Sequence, residues 1–175
     1  MKSCSRLVDL GRRQFLRGGG AAAVATVAIG ATGVPAMAAA PLARVAYPTN
    51  RLANVKDLKL NEPLDITYPD DSSPGVLIKL GSSAESGVGP DGDIVAFSTL
   101  CPHKGFSLHF VADDKTLDCP GHYSRFDCEK GGFQIWGQAT QNLPQFQLRV
   151  DDKGDIYAEG VDELIYGRLS NVLTA

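Results

Sequence analysis

The 175 residues contain only four cysteines, three histidines and one tryptophan, and acid and base nearly balance, with 17 Lys and Arg against 20 Asp and Glu. Four cysteines are too few for a small disulfide-held scaffold. A formal charge of −3 offers no broadly basic face, so no nucleic acid is expected as a partner. No segment repeats at the roughly 20–50-residue spacing of solenoids and propellers, which leaves an ordinary globular domain. What is present suffices for a core. Hydrophobic residues make up 43% and charged residues 21%, the balance of a packed domain rather than a disordered chain.

The near-neutral total conceals two unlike parts. In residues 1–40, Lys2, Arg6, Arg12, Arg13 and Arg17 stand against the single acid Asp9, a charge of +4, so residues 41–175 carry −7. An uncharged run from Gly18 to Ala43 follows the basic start and passes through Pro35-Ala36-Met37-Ala38-Ala39-Ala40. A basic start, an apolar middle and an A-x-A ending describe an export signal. Gly11-Arg12-Arg13-Gln14-Phe15-Leu16-Arg17 resembles the twin-arginine signal, whose route carries proteins already folded. The expectation is cleavage near residues 38–40 and a periplasmic mature domain without a membrane span. The alternative is a retained anchor, since the uncharged run is long enough to span. Its glycines and few large apolar residues make a poor lipid-facing helix.

Beyond residue 40 the pattern is of short strands. Residues 41–63, with three prolines, read as an extended segment holding one strand at most. Leu64–Tyr68 alternates apolar and polar, Pro69–Gly75 is a turn cluster, and Val76–Leu80 is a second strand. A Gly-rich loop fills residues 81–93, and Ile94–Leu100 is a strand that runs straight into Cys101. After a turn at Glu129–Gly132 come strands at Phe133–Trp136, Phe146–Val150 and Ile156–Glu159, and Val161–Leu173 fits a strand or a short helix equally. The fold class expected is all-β, a sandwich or barrel of antiparallel strands.

Two Cys and two His fall in matched pairs, Cys101-Pro102-His103 and Cys119-Pro120-Gly121-His122, with 15 residues between them. Each pair offers one thiolate and one imidazole. Zinc could use such a set, but zinc fingers usually place Cys with Cys and His with His. A two-iron cluster accounts for the mixing better, with one Cys from each pair on one iron and one His from each on the other, the Rieske [2Fe–2S] arrangement. Neutral imidazole in place of thiolate makes reduction easier, and the ring N–H groups can titrate with the redox state.

These residues resemble the Rieske iron–sulfur family, closely over about residues 94–150. The resemblance implies antiparallel β-structure with the cluster at the exposed tip of a smaller inserted subdomain, about residues 99–145. It makes Cys101, Cys119, His103 and His122 the metal ligands, and Gly137–Pro144 a proline-containing loop over the cluster, with Pro144 beside it. Rieske proteins of the cytochrome bc type carry one further Cys in each loop, joined as a disulfide. Phe106 and Gly121 hold those positions here, so packing must hold the loops. The same type has a Ser and a Tyr donating towards the cluster. Ser124 is present but Phe126 replaces the tyrosine, which implies a lower potential. Ring-hydroxylating oxygenases need a second iron site with two His, and only His109 is spare.

Within the family, CPHKGFSLHF, CPGHYSRFD, GQATQNLPQF and VDELIYGRLSNVL resemble the small subunit of bacterial arsenite oxidase. That likeness implies a non-catalytic electron-transfer subunit. It would pass electrons from a large molybdopterin-containing subunit, which has its own iron–sulfur cluster, to cytochrome c or azurin. Quinol-oxidising complexes are the alternative. Gly105 and Gly121 give the chain room near the cluster, and Lys104 belongs either to the electron-exit face or to plain solvated surface. His109 is expected at the surface or in a structural hydrogen bond, Cys128 as an inert thiol, and Phe133 and Trp136 in the core.

Overall fold

The computed structural model describes residues 46–172, which lie in one compact unit. The expected export signal lies outside the described residues. Ten strands run in chain order: β1 Asn50–Asn54, β2 Leu64–Thr67, β3 Pro74–Lys79, β4 Ile94–Ser98, β5 His109–Val111, β6 Thr116–Asp118, β7 Arg125–Asp127, β8 Phe133–Trp136, β9 Phe146–Val150 and β10 Asp155–Val161. The helical elements among the described residues are single 3-10 turns at Val55–Asp57 and Cys128–Lys130. No helix among these residues is long and apolar enough to cross a membrane.

The strands form three antiparallel sheets, ordered β1-β10-β9, β2-β3-β4 and β5-β6-β7-β8. Burial along β3 and β4 shows how they stack. All five residues of β4 are buried, as are Gly75–Ile78 of β3. Side chains alternate across a strand, so these two strands must be covered on both faces. One face carries Val76, Ile78, Val95 and Phe97 into a core that also holds Cys101, Leu117, Cys119, Phe126 and Leu143. The other face carries Leu77, Ile94 and Ala96 against Tyr68, Phe146, Ile156, Ala158 and Ile165. The middle sheet is therefore shared by two cores, and the two cysteines of the C/H pairs belong to the first.

The small four-stranded sheet is fastened to this base in several places. Lys115, at the β5–β6 turn, donates to Ser82 of the 81–93 loop and lies 2.8 Å from Glu129, while the Glu85 N–H donates to the Glu129 carbonyl at 2.9 Å. A bridge joins Phe97 of β4 to Gln145 at the end of the 137–145 segment.

β2, β3, β4, β8, β9 and β10 overlap the strands expected from the sequence, and β1 is the single strand within residues 41–63. Three differences stand out. β5, β6 and β7 were not foreseen, and each is only three residues long. Beyond Val161 the chain forms neither strand nor helix through residue 172. Phe133 and Trp136, expected in the core, are exposed by 55% and 67%. They lie on β8, an edge strand whose pairing with β7 shifts register between Arg125 and Phe126. An irregularity of this kind re-aims side chains.

Candidate metal centre

The two ligand-bearing loops repeat one backbone design. In the first, the Cys101 N–H donates to the Phe106 carbonyl at 2.9 Å and the Gly105 N–H to the Cys101 carbonyl at 2.7 Å. In the second, the Cys119 N–H donates to the Ser124 carbonyl at 2.8 Å and the Tyr123 N–H to the Cys119 carbonyl at 3.2 Å. Each loop is thus closed on its cysteine from the fourth and fifth residues after it. The fourth residue is left-handed in both, with φ 69° at Gly105 and 60° at Tyr123. A left-handed tyrosine is uncommon, and nothing in residue type marked it beforehand.

This shared fold sends unlike donors in unlike directions. Cys101 and Cys119 are 0% and 2% exposed and belong to the same buried cluster. Burial pushes the Cys101 thiol up, the backbone N–H groups of His103 and Lys104 act against that rise, and the Cys119 thiol adds to it. His103 is half-buried and His122 exposed. Their rings meet edge to face with centroids 4.8 Å apart. Nδ1 of His103 is buried and has no hydrogen-bond partner. An unpaired buried nitrogen is costly unless something binds it. Two adjacent buried thiols, two facing imidazoles and this orphaned nitrogen make a donor set that fits a [2Fe–2S] cluster with mixed Cys and His ligation.

A third segment closes the site. Ser124, fully buried, accepts hydrogen bonds at its Oγ from the N–H groups of Gln138 (3.0 Å) and Ala139 (2.9 Å). Gly137 has φ 96°, and a Cβ there would lie 2.3 Å from the Ser124 Cα. The segment can approach this closely only with glycine. Pro144 is buried at the root of the segment, where its carbonyl accepts the Ser98 N–H at 2.9 Å.

Phe106 and Gly121 do meet across the two loops. A Cβ on Gly121 would sit 2.9 Å from the Phe106 ring, which also packs edge to face on His122 at 5.8 Å. A ring seated on a glycine joins the loops here. Lys104 is exposed beside His103, and His109 is exposed at the start of β5. Cys128 is buried, with its thiol pushed up to about 12 by burial first and then by Asp127, Asp118 and Glu129. Tyr123 and Trp136, one exposed by 73% and the other misplaced by the sequence, line a depression with His122.

The geometry fits an iron–sulfur protein with mixed Cys and His donors, and comparison with known proteins names the family. The family model for the Rieske [2Fe-2S] domain matches residues 49–147. The chain is 41% identical over 165 residues to iodate reductase subunit IdrB of Denitromonas iodatirespirans, covering 93% of this chain and 86% of that one. It is 40% identical over 162 residues to the protein of the same name from Pseudomonas sp. strain SCT, covering 90% and 82%. The crystal structure of the soluble domain of Rieske protein II (soxF) from Sulfolobus acidocaldarius superposes with a TM-score of 0.60 at 26% identity, over 66% of this chain and 78% of that one. The chain belongs to the Rieske [2Fe–2S] family and takes a Rieske-type cluster as its cofactor. The zinc alternative falls away.

Proposed function

We propose that Cys101 and Cys119 hold one iron and His103 and His122 the other, and that the chain is the electron-transfer subunit of a two-subunit oxidoreductase. The observation that carries this is the division of the donors, with thiols packed into the core and the two imidazoles facing each other further out, His103 half-buried and His122 exposed. The cluster supplies a one-electron site when bound. The protein's own part is to position and shield it. Cys101 and Cys119 keep negative charge inside, where water cannot reach. His103 and His122 form the edge a redox partner can approach, and electron transfer requires that approach. Ser124 ties the 137–144 segment over the second loop through two backbone N–H groups. Its own hydroxyl proton is left to donate.

The finer reading is a periplasmic subunit exported folded by the twin-arginine route, with its signal cleaved near residues 38–40. Its partner is a large molybdopterin-containing subunit that oxidises arsenite, and cytochrome c or azurin takes the electrons. The segments that resemble the small subunit of arsenite oxidase support it. A second reading, reduction of iodate on the partner, is favoured by the names of the two relatives at 41% and 40% identity. In both readings this chain relays electrons and the substrate stays on the partner.

Co-purification from the native host tests the pairing, since the reading requires a larger molybdenum-containing chain bound to this one. Substrate added to the purified complex separates the readings. Arsenite should make the Rieske paramagnetic signal appear in oxidised complex. Iodate erasing that signal from reduced complex, with no response to arsenite, would assign the reductase reading instead.

A further inference from the structure

Residues 162–172 form an irregular arm that the structure nevertheless pins at many points. The Asp162 carboxylate accepts the Gln145 N–H at 2.7 Å. Ile165 is 1% exposed in the second core. Asn171, also buried, accepts the Ile165 N–H at 2.9 Å and donates to the Glu163 carbonyl at 2.8 Å and the Tyr47 hydroxyl at 3.1 Å. Arg168 reaches back 98 residues, placing one nitrogen 2.7 Å from both carboxylate oxygens of Asp70 and 2.8 Å from Ser72 Oγ. Ordering an irregular segment costs backbone entropy at every residue, so fastening on this scale asks for a purpose.

The arm delivers one side chain to the metal centre. Next to buried Ile165, Tyr166 turns the other way, and its ring lies on Gly105 of the first ligand loop. A Cβ on Gly105 would be 2.5 Å from Tyr166 Cε1 and 2.7 Å from Cδ1. Gly105 is the left-handed residue that closes this loop on Cys101, two positions after His103. The equivalent residue of the second loop, Tyr123, is 73% exposed. Two loops of the same backbone design therefore differ in restraint. The first is pressed by the arm at its left-handed corner, whereas the second is met there by Gly137 of the 137–144 segment, where a Cβ would lie 2.6 Å from the Tyr123 carbonyl, and leaves its tyrosine side chain in solvent.

We propose that the C-terminal arm is a clamp on the first ligand loop, in which Tyr166 is a positioning residue that fixes Gly105 and, through it, His103. Arg168 and Asp70 are the remote anchor of this clamp. With no disulfide joining the loops, the clamp supplies on one side the rigidity that Phe106 on Gly121 supplies between them. The proposal rests on the ligand assignment above for its meaning but not for its geometry.

The test uses the full chain with its cluster, in three variants: Tyr166→Ala, Tyr166→Phe and Arg168→Gln. Hydrogen exchange is followed separately in peptides covering residues 101–107 and 119–125, alongside the paramagnetic spectrum and midpoint potential of the cluster. Tyr166→Ala should speed exchange in the first loop about tenfold, the ratio that about 1.4 kcal/mol of lost packing gives. The second loop should be unchanged, and the spectrum and potential should shift. Tyr166→Phe should retain wild-type behaviour, because the ring and not the hydroxyl makes the contact. Arg168→Gln should reproduce the Tyr166→Ala changes in weaker form from the far side of the arm. Unchanged exchange in the first loop of Tyr166→Ala, or equal acceleration in both loops, would overturn the clamp. A wild-type chain without a Rieske spectrum would strike the cluster ligation instead and leave the exchange result to decide the clamp.

Discussion

Replacing Ser124 by alanine removes one oxygen and strands two backbone donors. Ser124 Oγ accepts from Gln138 at 3.0 Å and from Ala139 at 2.9 Å. Ala139 is only 6% exposed, so its N–H would be left without water or protein to bond. A buried donor left unsatisfied costs about 1–3 kcal/mol. Gln138 is exposed and can turn to solvent, which limits its loss to about 0.5–1 kcal/mol. The sum is about 1.5–4 kcal/mol, carried by the 137–144 segment rather than by the whole domain. At a tenfold ratio per 1.4 kcal/mol, amide exchange at residues 138 and 139 should quicken by at least about tenfold and by up to several hundredfold. Mass spectrometry of a peptide spanning residues 137–143 reads this directly. The cluster potential should fall as well, since a hydroxyl donor is removed beside the second cysteine loop. Exchange within about twofold of the wild type would refute the reasoning, because it would mean that Ser124 does not hold this segment.

Other perturbations follow from the same contacts. Gly137→Ala puts a Cβ 2.3 Å from the Ser124 Cα at a residue with φ 96°. The variant should lose about 2 kcal/mol or more and release iron faster, which denaturant titration and visible absorbance would show; wild-type values would speak against the close approach. Cys128 should resist alkylation in the folded protein at pH 8. With its thiol near 12, about one molecule in ten thousand is thiolate, against about a quarter for an ordinary thiol. Labelling at the rate of a free thiol would count against that burial. Burial pushes the Asp70 carboxyl up, but Arg168, Ser72 and Ser73 outweigh it and hold it at about 2 against 3.8. Its contribution to fastening the arm is therefore complete above 3.8 and lost as the pH falls through about 2. Limited proteolysis between residues 162 and 172 should begin only in that acid window, and in Asp70→Asn it should be visible already at neutral pH.

The metal centre was the most legible part of the sequence because its chemistry is local. Each Cys stands two or three residues from its His, and that spacing survives without any knowledge of the fold. β3, β4 and β9 were legible because four to six residues suffice to display apolar patterning. Three-residue strands such as β6 cannot display a period of two, and their existence is decided by pairing with neighbours. Trp136 was misread because its exposure follows from an edge position and a register shift, neither of which residue type encodes. The arm from residue 162 has no periodicity at all. Its order comes from Arg168 meeting Asp70 across 98 residues and from Asn171 meeting Tyr47 across 124. The positions of Phe106 and Gly121 showed that a disulfide was absent, but the seating of one on the other appeared only in three dimensions.

The most direct test of the ligation is spectroscopic. Protein purified without oxygen, reduced with dithionite and measured by electron paramagnetic resonance should give a Rieske spectrum, with two irons and two sulfides per chain as the [2Fe–2S] family requires. Cys119→Ser should abolish both signal and bound iron. His103→Cys should remove the Rieske signal even where iron is retained, because the spectrum reports two imidazoles on one iron. A Rieske signal that persists in either variant would contradict the account.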